Sequence, residues 1–178
     1  MKAFDFADEE NVSLLSESIL DENPNLYVVK SISKSYGVPG LRLGVLASGN
    51  VDVIRRLKRS VSIWNINSMA EFFMQILDKY KADYEKSLRE IKTERKRLFE
   101  ALRQIKSLKV YPSQANYFMC ELLDGHTSEE LAGRLLKRNI LIKDLAGKIK
   151  NGRQYIRIAI RTGTENQRLV ELLKEETQ

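Results

Sequence analysis

Two apolar stretches, LYVVKSI at residues 26–32 and LRLGVLAS at residues 41–48, are joined through the turn residues SYGVPG. A parallel crossover needs a dozen or more residues, so strands this close in sequence must run antiparallel. The first stretch is almost wholly apolar, which suits a strand buried on both faces of a sheet. A two-stranded sheet is marginal by itself. Residues 1–62 add only a short helix in SLLSESIL, the turn DENPN and a basic helix, VDVIRRLKRSV. They read as the remnant of a larger sheet, whose open side exposes apolar strands and favours self-association.

The rest of the chain differs in pattern. Residues 63–105 read as connecting helices. In WNINSMAEFFMQILDKY, Asn65 or Asn67 can cap a helix with Met69, Phe72, Phe73, Ile76 and Leu77 on its apolar side. DYEKSLREIKTERKRLFEALRQI predicts a long charged helix striped by Leu88, Ile91, Leu98, Leu102 and Ile105. Its many Glu–Lys and Glu–Arg pairs, Arg95 and Arg97 included, read as a solvated face. Residues 106–178 run strand, strand, helix, strand, strand, helix, with Thr127 or Ser128 capping the first helix and the last beginning near Glu165. That order marks a small, self-contained α+β unit, so the chain as a whole reads as α/β.

Composition narrows the function classes. At 43% hydrophobic and 30% charged residues, the 178-residue chain has the make-up of a globular domain, with no apolar run near the ~20 residues of a membrane span. Its start, MKAFDFADEE, lacks a basic-then-apolar signal segment. One cysteine, Cys120, excludes an internal disulfide and fits a reducing cytoplasm. Cys120 and His126 have no metal-ligand spacing and read as structural. The net charge of +6 reads as a solvated basic surface. The alternative, a basic nucleic-acid-binding module, has IRRLKR in its favour, but no aromatic-interleaved basic strand accompanies it.

Chemistry concentrates at SISKSYGVPGLRLG, residues 31–44. Lys34 lies just past a strand, where ligands collect in α/β sheets. Ser31 and Ser33 offer hydroxyls, Gly37 and Gly40 permit tight turns, and a return strand can bring Arg42 back beside Lys34. Hydroxyls and one guanidinium suit a phosphate monoester, and a lysine amine beside it can form a Schiff base with an aldehyde. Pyridoxal 5'-phosphate (PLP) carries both groups. Taken alone, the same residues also fit an ordinary strand-end lysine.

The whole string resembles the lysine segment of fold-type I PLP-dependent enzymes of aminotransferase class I/II, most of all the histidinol-phosphate aminotransferase and threonine-phosphate decarboxylase branch. The resemblance implies that Lys34 carries the cofactor and acts as proton-transfer base, and that Ser31, Ser33 and Arg42 hold the cofactor phosphate. WNINSMA resembles the passage out of that family's large domain, ANYFMCEL the first strands of its small domain, and YIRIAIRTGTENQRLVELL its closing strand and helix. There one arginine grips the substrate carboxylate, and the matching position is Arg157. Period-two alternation agrees: Ile156, Ile158 and Ile160 face one way, Tyr155, Arg157, Ala159 and Arg161 the other. In ILIKDL, Lys143 stands where relatives that bind phosphorylated substrates often have an arginine. A lysine can meet a phosphate there, though not as a planar fork.

The resemblance therefore implies the C-terminal portion of a PLP-dependent transferase: a large-domain remnant (1–62), connecting helices (63–105) and a small C-terminal domain (106–178). The family's partner for the pyridine nitrogen, its ring-stacking aromatic and its other phosphate loop precede the matched segment. A fragment inactive alone is expected, from a cytoplasmic, homodimeric aminotransferase acting on amino acids and 2-oxo acids, with no nucleic acid, membrane or metal involved. The alternative within the family is decarboxylation of a phosphorylated amino acid.

Overall fold

The computed structural model describes residue 7, residues 13–123 and residues 125–177, leaving aside the side chain of Lys34. The stretch beginning AFDF thus lies almost wholly outside the described residues. Two compact units make up the chain, Met1–Ser87 and Leu88–Gln178.

The first unit opens with helix α1 (Glu17–Glu22), whose end is closed by Asn23 Nδ2 donating to the Ile19 carbonyl at 2.9 Å. Strands β1 (Val28–Ser31) and β2 (Gly44–Ala47) pair antiparallel, Val28 opposite Ala47 and Ser31 opposite Gly44, as the short link requires. Between them the chain winds through a single helical turn, α2 (Ile32–Ser35), and a 3₁₀ turn, Pro39–Leu41. Gly37 separates the two at φ 66°, a left-handed conformation that costs glycine little.

Burial on both faces, expected of the first stretch, does not hold, whereas the exposure of apolar strands expected of a sheet remnant does. β1 alternates between half-buried and exposed, Val29 is 78% exposed, and Val45 and Leu46 on β2 are also exposed. The cause is width: among the described residues this sheet has two strands.

After β2, Gly49 turns the chain where a Cβ would collide with the Leu20 carbonyl. Helix α3 (Val51–Ser60) follows, capped by Asn50 Oδ1, which accepts from the Val53 amide at 3.1 Å. Asp52 near its start and Lys58 and Arg59 near its end complement the helix dipole. Of the two candidate caps for the next helix, α4 (Ser68–Ile76), Asn67 is the one used, accepting from the Ala70 amide at 2.9 Å. Before it, Ile63 and Trp64 are almost fully exposed, Trp64 at 87%. Helix α5 (Lys81–Arg103) contains the division between the units.

The second unit follows the order read from sequence: β3 (Leu108–Val110), β4 (Tyr117–Leu122), α6 (Ser128–Lys137), β5 (Lys143–Asp144), β6 (Gln154–Ala159) and α7 (Gly163–Glu176). Its antiparallel sheet has strand order β3-β4-β6-β5. One face supplies Phe118, Cys120, Ile156 and Ile158 to a core completed by Leu98 and Leu102 of α5, Leu131 and Leu135 of α6, and Leu169 and Leu173 of α7. Leu98, Leu102 and Ile105 of the expected stripe are buried, whereas Leu88 and Ile91 are only half-buried.

Arg95 corrects the solvated-face reading. It is 3% exposed, and its Nη1 donates to the Gln114 carbonyl at 3.2 Å. Positions 95, 98 and 102 share one helical face, so the guanidinium is carried in beside the leucines. Arg97 is exposed as expected.

Two Thr-x-x-Glu capping boxes start α6 and α7, Thr127 with Glu130 and Thr162 with Glu165. Ser128, the other candidate cap, instead ties α6 to the sheet: its hydroxyl donates to Asp144 Oδ1 at 2.6 Å and its amide to Gln154 Oε1 at 3.0 Å.

Three outcomes follow. Phe118→Ala should destabilise the second unit by about 3–5 kcal/mol, and Thr162→Ala by about 1 kcal/mol, both read from denaturant midpoints. Burial pushes the Cys120 thiol up to about 12. It should therefore resist alkylation by iodoacetamide at pH 8 in the folded chain and react once the chain is unfolded.

Candidate functional site

The residues singled out from sequence fall into two groups, one in each unit. In the first unit Lys34 lies in the α2 turn, and its side chain is outside the described portion. What fixes the turn is visible around it. Tyr36 stacks on Tyr84, ring centroids 4.2 Å apart and 12° from parallel, and meets Phe73 edge-on at 6.0 Å. Asn67, besides capping α4, donates through Nδ2 to the Leu41 carbonyl at 3.0 Å. The Val38 amide closes the loop onto the Ser33 carbonyl at 2.9 Å. Tyr36 belongs to the SISKSYGVPGLRLG string, whereas Tyr84 lies fifty residues beyond Lys34 and no sequence signal pointed to it.

The strand arms hold together one residue past the ladder, where the Ile32 amide donates to the Leu43 carbonyl at 3.2 Å, and Arg42 precedes Leu43 directly. The structure thus brings the Ser31, Ser33 and Arg42 segments to one end of the hairpin. Ser31 and Arg42 are exposed, whereas Ser33 is 5% exposed. Arg42 sits at φ 55°, its Nη1 3.5 Å from the Pro39 carbonyl, and has no carboxylate partner among the described residues. A guanidinium without a described carboxylate partner, with serine hydroxyls at the same strand end, fits a phosphate monoester.

In the second unit the sheet face away from the core carries the other group. Lys143 of β5 and Arg157 of β6 are directly paired, and Met119 of β4 flanks Arg157 on the other side. The Arg157 guanidinium lies over the Tyr117 ring, 5.0 Å from its centre. Both cations are exposed, and neither forms an ion pair within 4 Å among the described residues, although Lys143 acts electrostatically on the neighbouring Asp144. Two like charges side by side repel, so this corner is poised to receive negative charge.

The opposite corner is neutralised internally. Glu121, 6% exposed, accepts from the Tyr111 hydroxyl at 2.6 Å and Arg153 Nη1 at 3.2 Å, with Lys109 Nζ at 4.0 Å. The Tyr111 bond, and then the charges of Arg153 and Lys109, hold the Glu121 carboxyl below its ordinary value against its burial. The same bond drives the Tyr111 phenol up to about 12. At the start of α7, Glu165 is lowered to about 2 by bonds from Arg161 and Thr162. Sequence reading missed Tyr117, Glu121 and Arg153 because their partners come from separate strands.

A family model described as aminotransferase class I and II matches residues 3–174. The L-serine phosphate decarboxylase of Campylobacter jejuni is 37% identical over 153 residues, covering 84% of this chain and 39% of the relative. A histidinol-phosphate aminotransferase of Methanococcus aeolicus is 34% identical, covering 85% of this chain and 40% of the relative. The crystal structure of the histidinol-phosphate aminotransferase from Clostridium acetobutylicum superposes with a TM-score of 0.81 at 28% identity, covering 96% of this chain and 50% of that one. The chain spans half or less of the length of these relatives.

Glu121 and Glu165 have folded values below the ordinary carboxyl value of 4.5. The stability they contribute is complete above pH 4.5 and is lost as pH falls through the folded values, toward about 2 for Glu165. Glu165→Gln should flatten the acid side of the stability curve between those limits, read by urea denaturation at stepped pH.

Proposed function

Because this chain belongs to the aminotransferase class I and II family, we propose that it supplies the lysine-bearing, substrate-gripping half of a PLP-dependent aminotransferase. That enzyme moves an amino group between an amino acid and a 2-oxo acid. The observation that carries the reading is the direct pairing of Lys143 with Arg157, two cations side by side on an exposed sheet face. Carboxylate-bearing substrates need such a place, and phosphorylated ones need two cations there.

When bound, PLP supplies an electrophilic carbon and an electron sink for the bond that breaks at the substrate Cα. Lys34 would hold the cofactor through Nζ and would serve as the base that moves the proton at that carbon. The hydroxyls of Ser31 and Ser33 and the Arg42 guanidinium hold the cofactor phosphate. Ser33 is buried, so a bond it gives is little contested by water. The planar fork of Arg157 receives the substrate carboxylate through two parallel bonds. Lys143 meets a second anionic group as a point charge. Cofactor contacts that these residues leave unmet come from the part of the relatives that this chain does not match. The working enzyme is read as a homodimer, with the exposed apolar flank around Ile63 and Trp64 covered on assembly.

A second reading shares every residue and changes the bond broken: loss of the carboxylate of a phosphorylated amino acid. The 37% identical relative of that activity favours it. O-phosphoserine with 2-oxoglutarate separates the two, because transamination yields a new amino acid and decarboxylation yields carbon dioxide without one.

In the chain completed at its N-terminal side, Lys34→Ala should abolish turnover, and borohydride should no longer fix PLP to the protein. Normal turnover in that variant would defeat the assignment. Arg157→Lys should weaken substrate binding by about 2 kcal/mol or more, roughly thirty-fold, with cofactor affinity nearly unchanged. Release of the cofactor with substrate affinity intact would place Arg157 elsewhere. The 178-residue chain alone should take up PLP weakly and show no turnover; a tight one-to-one complex with turnover would contradict that.

A further inference from the structure

We propose that Tyr117 is a positioning residue, holding the Arg157 guanidinium in the orientation that receives a carboxylate. This rests on the reading of Arg157 as the carboxylate anchor.

Arg157 stands in the middle of an exposed sheet face with two direct neighbours, Lys143 on β5 and Met119 on β4. Repulsion from the Lys143 ammonium drives the guanidinium away from β5. On the β4 side it finds the Tyr117 ring, 5.0 Å from ring centre to guanidinium carbon. The negative face of the ring attracts the cation while leaving its N–H edge unspent. A carboxylate partner would hold the guanidinium as well, but would consume the donors that the substrate needs. Such a partner does occur on the same face: Arg153 is spent on Glu121. Tyr117 thus fixes Arg157 without neutralising it.

The register supplies the room. Tyr117 is paired with Ala159, whose side chain is a single methyl group. Ala159 and Arg157 lie two residues apart on the same face of β6, so the ring can lean over Ala159 toward the arginine.

The test uses the 178-residue chain, nitrogen-15 spectra of arginine side chains, and O-phosphoserine as probe. In the parent the Arg157 Nε–H resonance should be displaced upfield by the ring and should shift saturably with O-phosphoserine. Tyr117→Phe keeps the ring and should keep both behaviours. Tyr117→Ile, a good strand former, should return the resonance to the ordinary arginine position and weaken binding about three- to five-fold. Ala159→Ile, which leaves the ring but crowds it off the arginine, should give the same loss. Should Tyr117→Ile fail to fold, Ala159→Ile decides alone. Unweakened binding in whichever of these variants folds, with Arg157→Gln abolishing it, overturns the positioning role while leaving the carboxylate reading intact. Undiminished binding in Arg157→Gln, or no saturable shift in the parent, overturns the carboxylate reading and the positioning role with it.

Discussion

The antiparallel pairing of β4 with β6 sorts the side chains of both strands onto two faces. On one face Phe118, Cys120, Ile156 and Ile158 meet three helices and leave water completely or nearly so. That burial, at roughly 25 cal/mol per Å² of apolar surface, is the main force holding the second unit. The same register decides what the other face can do. A slip of one residue would bury Arg157 and expose the isoleucines, so the stability of the core and the placement of the cations are one constraint. The anchoring of α6 through Ser128 to Asp144 and Gln154 then fixes the two-residue strand β5, and with it Lys143 beside Arg157.

The lysine turn is held differently. Around it stand a stacked pair of tyrosines, an edge-on phenylalanine and one asparagine that serves two segments at once. Aromatic stacking and a double-ended amide specify direction as well as contact. Directional contacts of this kind fix the backbone geometry of a turn where little apolar surface packs against it.

Much of this architecture was legible in the residues. The short link made β1 and β2 antiparallel, the alternation in YIRIAIR divided core from surface, and Asn67 and Thr127 were among the caps named in advance. These are local features, fixed by spacing along one segment. What escaped reading depends on partners far along the chain. The apolar run around Val29 suits a strand buried on both faces, yet Val29 is exposed, as the reading of these residues as a sheet remnant requires. Arg95 looked solvated within a run of charges, although its spacing from Leu98 and Leu102 pointed inward. The Glu121 cluster joins residues 111, 121 and 153, and no window of sequence contains all three. As for the candidate site, Ser31, Ser33, Lys34 and Arg42 were legible together within one string, whereas Lys143 and Arg157 come from separate segments, and the β5–β6 register shows them side by side.

Trp64 is the sole tryptophan of the chain and lies 87% exposed beside an equally bare isoleucine. An indole in water emits at longer wavelength than one enclosed by protein, and small quenchers reach it readily. The protein therefore carries a built-in fluorophore on an exposed apolar flank. Whatever covers that flank, another copy or a complementary chain, will change the colour of the light it emits, with no label attached.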